Sequence, residues 1–455
     1  MTQRTTTAAR GLIRRALSHA YRSSGLREAR MTARFEVNLA EMKDLSTRRL
    51  PRGRQGRRLL VLPPDPLLVT ASRGDQAMIA AIMDHYRSLD AGWHVVIGCD
   101  VRTDRTRAIP DGAEALTLYG RGAGIGRIRD RIHGEGITDC LLVGADVLDG
   151  SFNPVFSLEQ LRMLHAARMA GCAIGNTGFS YSADSAPRMR EAFGVFPPHY
   201  RFAVRDPISL RRFADAVGDR GRRTADIAFL LRPAADTPRT AASRAWIADR
   251  RDEGRHVIAM NLHPVLDRSD GVDSRTLIER YAIAARDLSA SRPGGRDLAI
   301  YLMPHDFRGA DADDHCLRPL LQRVREAGVP VFHPGAELDA AQCKAILADC
   351  DLAVGARMHL LIGALGAGCP IVGIEYRGKI RGLAETFDLP ADRILQPTAF
   401  MESSRSLQAA IAAALGANRD DRRRIRDALP HVLGMAADNF RLAPAVGSPV
   451  GVDPV

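Results

Sequence analysis

Long apolar runs are missing from this sequence. None reaches the roughly 18 residues that a membrane-spanning helix needs. No secretory apolar region follows the start, so the expectation is a soluble, cytoplasmic chain. Paired Cys-x-x-Cys motifs are absent too. The seven cysteines are an odd number, several in or beside apolar strands and helices, which fits reduced structural thiols in a reducing compartment. Aromatic residues make up only 5%, too few for the stacking platforms of a single-strand nucleic-acid binder. Lysine is scarce: Lys43, Lys344 and Lys379 stand against 61 arginines. A lysine kept at 379 suggests a role that arginine cannot fill.

The net charge of +11 sits in one place. Residues 1–58 hold 14 Arg and one Lys against four acids, which accounts for all of it. The remaining body is neutral, so the high pI of 9.7 does not argue for nucleic acid. Ala9, Leu12, Ile13, Ala16, Leu17, Ala20 and Tyr21 recur at helical spacing, with Arg10, Arg14, Arg15 and Arg22 on the other faces. Such a basic amphipathic leader suits peripheral contact of residues 1–30 with an anionic membrane. A disordered or self-packed extension is the plainer alternative, and a mitochondrial presequence has a similar composition.

A chain of 455 residues is too long for one ordinary core. After the leader (1–58), strand and helix patterns alternate, which argues for parallel sheets with helices on both faces. Leu59–Leu62 and Leu67–Thr70 look like strands, and Asp75 is placed to cap a helix over Gln76–Tyr86. Further strands fall at Trp93–Ile97, Asp139–Gly144 and Ala173–Gly175. Arg205 ends a strand, and Asp206-Pro207 opens a helix as N-cap and first residue. Asp146 and Asp149, in the loop after Val143, suit loop capping. A polar stretch, Ala234–Arg255, separates a first domain (59–235) from a second (255–400). Helices and a loose, Pro/Gly-rich tail finish the chain (401–455).

In the second domain, the loop Pro304–His315 is rich in acids and histidine. Capping of the next helix, a ligand-facing His305 and a metal site are all open readings, although no spacing fixes a coordination set. The densest signal is Asp351–Leu383. A short strand meets Gly355-Ala356, and Arg357-Met358-His359 opens a helix that Gly366, Gly368 and Pro370 end. Ile371–Ile374 is a buried strand, followed by the polar loop Glu375–Lys379. Arg357 and His359 therefore stand where a strand hands over to a helix, the edge where open α/β sheets bind ligands and where a helix dipole favours an anion. Positions two apart do not share a helix face, so these two converge only in an irregular opening turn.

The run Gly355-Ala-Arg-Met-His359, with Gly363-Ala-Leu-Gly-Ala-Gly368, Pro370 and Tyr376-Arg-Gly-Lys379, resembles the C-terminal signature of the polysaccharide pyruvyl transferase family. Gly74-Asp75 and Arg205-Asp206-Pro-Ile-Ser209 match it further upstream, although Arg73 stands where a small or polar residue is usual. The resemblance implies two Rossmann-like parallel-sheet domains facing a cleft, as in GT-B glycosyltransferases. It implies transfer of pyruvate from phosphoenolpyruvate onto two hydroxyls of one sugar, giving a cyclic ketal and phosphate. Arg205, Arg357, Met358, His359 and Lys379 would then bind phosphoenolpyruvate. His359 would be the general acid, since imidazole titrates near neutrality, and Asp75 the base or hydroxyl anchor. No metal or other cofactor enters this scheme. The acceptor would be a polysaccharide or glycolipid met by the first domain, at the inner face of the plasma membrane. A nucleotide-sugar glycosyltransferase of GT-B type is the alternative, with Glu375 or Glu385 as a ribose-binding acid. A fold kept only as a scaffold is the other.

Overall fold

Short, fully apolar segments such as Leu59–Leu62 and Val257–Met260 can be buried on both faces only if helices cover both sides of a parallel sheet. That is how they are used here. The structure, a computed structural model, describes residues 25–51, 56–89, 92–120, 124–268, 271–335, 338–375 and 378–443. The helical spacing at 9–21, the Tyr376-Arg377 pair and the tail after 443 lie outside these residues.

The first half begins with helix α1 (Gly25–Leu45), inside the stretch expected to be a leader. Phe35, Leu39, Met42 and Leu45 bury its apolar face, so this part of the basic segment belongs to the fold. Then come β1 (Arg58–Leu62), α2 (Arg73–Leu89), β2 (His94–Asp100), α3 (Arg105–Ala108), β3 (Ala113–Tyr119), α4 (Ile125–Gly134), β4 (Asp139–Leu142), α5 (Pro154–Met169) and β5 (Ala173–Asn176). These strands form a parallel sheet in the order β3-β2-β1-β4-β5. Next are α6 (Met189–Gly194), β6 (Phe202–Val204), α7 (Pro207–Val217) and β7 (Gly221–Arg223), where β6 and β7 pair with each other in parallel.

The polar stretch 234–255 is mostly a helix, α8 (Pro238–Asp252), opened by a Thr237 capping box. It leads into β8 (His256–Met260), α9 (Ser274–Ser291), β9 (Leu298–Leu302), α10 (Asp314–Glu326), β10 (Val331–Phe332), α11 (Ala340–Ala348), β11 (Leu352–Gly355), α12 (Met358–Gly366), β12 (Ile371–Ile374), α13 (Lys379–Thr386) and β13 (Ile394–Leu395). The second sheet is parallel throughout, in the order β10-β9-β8-β11-β12-β13. Helices α14 (Arg405–Gly416) and α15 (Asn418–Ala437) finish the chain, and Ala443 returns to pair with Ile174 of the first sheet. Among the described residues, no helix is long and apolar enough to cross a membrane.

Two local expectations change. Leu67–Thr70 is a run of turns rather than a strand, because Asp65 Oδ1 accepts from the N–H groups of Leu67 and Leu68 and bends the backbone there. Asp75 is not the N-cap of α2. The helix starts at Arg73, and Ser72 accepts from the Gly74 N–H. Asp75 therefore sits within the first turn, with its carboxylate released from capping.

A candidate active site between the two halves

Two strand-to-helix turns face each other across the cleft. The first is Ser72–Asp75, at the start of α2. It is held to the second half by an antiparallel bridge from Ser72 to Asp306 and by the Arg73 N–H donating to the His305 carbonyl (2.9 Å). Arg73 points away from the cleft. Its Nε donates to the Leu338 carbonyl of the second half, and its guanidinium stacks on Phe307 at 4.3 Å. The unusual arginine thus ties the halves together.

The second turn is Gly355–His359. Arg357 is the N-cap residue of α12, extended and without a side-chain cap bond, and His359 is the second helical residue. The irregular opening needed for the two to converge is present. Between these turns lies a cavity of about 530 Å³. Asp75, Arg205, Arg357, Met358, His359 and Lys379 all line it. The six residues that the resemblance assigns to the site are thus brought to one place, whereas Glu375 and Glu385, the acids of the alternative reading, do not line it.

The cations arrive with carboxylate partners. Arg205, 4% exposed, donates from Nη1 to Asp226 Oδ2 (2.7 Å) and from Nε to Ser180 (2.8 Å). Arg357 donates from Nε and Nη2 to Asp313 Oδ1 (2.9 and 2.7 Å) and from Nη2 to the Asp311 carbonyl (2.8 Å). Its Nη1 lies 3.1 Å from Asp306 Oδ2. Lys379, at the start of α13, pairs with Asp146 across the cleft, its Nζ 5.1 Å from the centre of the Phe152 ring. His359 Nε2 lies 3.5 Å from Asp226 Oδ2.

These contacts decide how the carboxylates titrate. Burial disfavours ionisation of Asp226, yet His359 and Arg205 hold it well below the usual carboxylate range. Burial likewise opposes ionisation of Asp146, and Lys379 and Arg205 outweigh it. Asp75 differs. Burial pushes its carboxyl up to about 7, against the pull of Arg308 and His359, with Asp146 and Asp65 raising it further. Its closest cation, Arg308 Nη1, stays 3.9 Å away because Arg308 is committed to Asp306 (2.6 Å). A carboxyl titrating near neutrality in a cleft is suited to proton transfer. His305, also in the cavity wall, is pushed far down, by burial first and then by His359, Arg73 and Arg357.

The remaining acids have structural work. Asp306 and Asp313, in the loop with open readings, hold Arg357, while Asp313 Oδ2 also accepts from Asn261 (2.8 Å) and from the His305 N–H (2.8 Å). Among the described residues, no cluster of His, Cys, Asp or Glu is arranged to hold a metal ion. Asp149 caps its loop as expected, through Ser151 and Ser182. Glu375 accepts from the N–H groups of Ile380 and Arg381 at the start of α13 (3.3 and 2.9 Å), and Glu385 pairs at the surface with Arg211.

Sequence reasoning passed over Asp226 and gave Asp146 only a capping role. The available signal was local: each follows the C-terminal end of a first-half strand, the ligand edge of such a sheet.

Comparison with known proteins gives the same picture. No curated protein matches the chain. Among solved structures, UDP-N-acetylglucosamine 2-epimerase from Neisseria meningitidis superposes with a TM-score of 0.51 at 9% identity, over 84% of this chain and 97% of that one. MnaA of S. aureus does so with a TM-score of 0.52 at 12% identity, over 84% and 94%. At such identities the likeness speaks for the fold, and that fold is the two-domain GT-B arrangement. The model of the polysaccharide pyruvyl transferase family matches residues 73–378, from the Arg73 tie to the start of the Lys379 helix. With well over half of its length matched, this chain belongs to the polysaccharide pyruvyl transferase family.

Proposed function

We propose that this enzyme transfers pyruvate from phosphoenolpyruvate onto two hydroxyls of one sugar in a polysaccharide or glycolipid, forming a cyclic ketal and releasing phosphate. The observation that carries this reading is the seat of His359. Its ring lies against Gly74 beside Asp75, with Arg205, Arg357 and Lys379 around the same cavity.

Phosphoenolpyruvate is a compact polyanion with a carboxylate and a phosphate close together. Arginine forks suit both groups, and Lys379 adds a point charge for the phosphate. The open N-terminus of α12 adds its dipole. In the free protein these cations rest on Asp226, Asp313, Asp306 and Asp146. The donor's negative groups compete with those carboxylates, which keep the cations in place until it arrives. Arg357, Arg205 and Lys379, with the helix terminus, neutralise the phosphate, so the scheme has no metal step.

The enol ether reacts once its methylene carbon is protonated. Protonated His359 gives that proton, forming a C–H bond and leaving a cation at the adjacent carbon. The first sugar hydroxyl adds there, and its proton passes to Asp75 or back to His359. Departure of phosphate regenerates the cation, and the second hydroxyl closes the ketal. Of the two hydroxyl protons lost, one replaces that given to the methylene carbon and one leaves with phosphate. Asp75 accepts a proton best above about pH 7, where it is ionised.

The acceptor comes from the first half. A groove of about 940 Å³ runs on from the donor cavity, sharing Asp65 and Phe156 with it and bounded by Asp100, Tyr119, Asn153 and Glu159. Carboxylates and an amide suit sugar hydroxyls, and the rings suit the apolar faces of a pyranose. A groove this size takes more than one sugar unit. Residues 1–30 remain our candidate for peripheral contact with an anionic membrane, which would bring the enzyme to a lipid-linked acceptor at the cytoplasmic face.

The test is ligand-induced thermal stabilisation with phosphoenolpyruvate and with a panel of nucleoside diphosphates, in wild type and Arg357→Ala. Saturation at 100 times the dissociation constant adds about 2.7 kcal/mol. Stabilisation by phosphoenolpyruvate alone, lost in the variant, is the expected result. Stabilisation by a nucleotide alone would favour the glycosyltransferase. Two observations already weigh against that alternative: Glu375 is committed to the α13 terminus, and Glu385 does not line the cavity.

A further inference from the structure

We propose that Asp226 is a positioning residue for His359: its carboxylate holds the neutral imidazole with hydrogen on Nε2, which leaves Nδ1 as the atom that gives and takes protons.

The geometry is specific to the two ring nitrogens. Nε2 is sealed from solvent and makes no hydrogen bond of full geometry, and Asp226 Oδ2 at 3.5 Å is its ion-pair partner. A nitrogen lone pair facing a carboxylate would be repelled, whereas an N–H facing it is attracted. The separation is somewhat long, as catalytic hydrogen bonds often are before substrate binds. Nδ1, the other ring nitrogen, lies over Gly74, where a methyl group would overlap it.

Asp226 is itself fixed. Oδ1 accepts from the Ala228 N–H (2.9 Å) in the 3-10 turn Ile227–Leu230, and Oδ2 accepts from Arg205 (2.7 Å). The side chain is 2% exposed. Asp75, Asp146 and His305 also act electrostatically on the imidazole, but Asp226 is the carboxylate at Nε2. The arrangement has the logic of a buried acid orienting a catalytic histidine, where the acid selects the tautomer and does not take the proton.

For the reaction this has one consequence, which rests on the pyruvyl transfer reading. When the imidazolium gives its Nδ1 proton to the methylene carbon, the tautomer that remains is the one Asp226 stabilises. No ring flip is needed before Nδ1 takes a proton from a sugar hydroxyl. One edge of one ring then acts as acid and base in turn.

The test reads the tautomer directly and needs neither donor nor acceptor, so it fails separately from the pyruvyl transfer reading. Protein labelled with ¹⁵N-histidine is examined by NMR at alkaline pH, and His359 is assigned among the 13 histidines by the signal lost in His359→Gln. In wild type, Nε2 is expected to give the shift of a protonated nitrogen and Nδ1 that of an unprotonated one. In Asp226→Asn, whose carboxamide cannot accept from Ala228 and Arg205 and also offer a charge to His359, this excess is expected to fall to a mixture. Hydrogen on Nδ1 in wild type would overturn the proposal, and that measurement needs no variant. An unchanged wild-type pattern in folded Asp226→Asn would overturn it as well.

Discussion

The imidazole of His359 rests on the Cα of Gly74, so that a side chain at position 74 would overlap Nδ1, Cγ and Cε1 of the ring. The first half thereby sets the position of the histidine that the second half supplies. Gly74→Ala is expected to displace the ring. Overpacking of this kind costs about 1–3 kcal/mol, and moving a reacting group by about 1 Å can cost on the order of 100-fold in rate. Phosphate release from phosphoenolpyruvate and urea unfolding read the two effects. With His359→Ala as background, Gly74→Ala should cost much less stability, since the clash is gone.

Arg205 and Asp226 form an ion pair in which both side chains are 2% exposed. Removing one partner of a buried pair leaves an uncompensated charge, at about 3–5 kcal/mol. Arg205→Ala should lower the unfolding free energy read from urea denaturation by that much at neutral pH, and Arg205→Lys by less. By contrast, Arg211→Ala at the surface, whose pair with Glu385 is 3.5 Å long, should change stability by under about 1 kcal/mol.

Asp75 predicts a pH dependence of stability with a definite sign. Its carboxyl is raised from 3.8 to about 7 in the folded protein, so the native state binds the extra proton. Between these values the unfolded chain ionises while the folded one does not, and stability falls as pH rises through the window. The penalty is complete above about pH 7 and is on the order of 4 kcal/mol. Urea unfolding at pH 4.5 and 8 should show wild type losing more stability than Asp75→Asn over that interval. Equal losses would show that Asp75 keeps its ordinary titration.

Lys379 and Asp146 join the halves across the cleft. If the donor phosphate takes over the lysine, Lys379→Ala should raise the dissociation constant of phosphoenolpyruvate by about 10- to 100-fold, the worth of a charged hydrogen bond. Calorimetric titration reads this. Asp146→Asn removes the competitor for the same ammonium and should tighten donor binding instead. A Lys379→Ala variant that binds phosphoenolpyruvate like wild type would remove the lysine from the donor site.

Much of this protein is determined locally. Apolar runs such as His256–Met260 and Ile371–Ile374 become strands at the bounds their composition sets. Asp206-Pro207 caps α7 as the pair alone requires, and Arg357–His359 opens α12 directly after β11 ends at Gly355. The edge where strands hand over to helices follows from that alternation, which is why Arg205, Arg357 and His359 could be placed at a ligand edge from the chain; Asp75, Met358 and Lys379 come from the family resemblance.

What each of them touches was decided only by the tertiary structure. Arg357 meets Asp313 44 residues away, Lys379 meets Asp146 233 residues away, and His359 meets Asp226 across the cleft. No periodicity encodes such pairs, since they depend on how two separate sheets face each other. The same holds for α1, whose apolar face is meaningful only once α5 lies beside it, and for Asp75, whose high pKa comes from burial that no single stretch of sequence contains. Local sequence settles which backbone forms where. Long-range packing settles which charges are left to do chemistry.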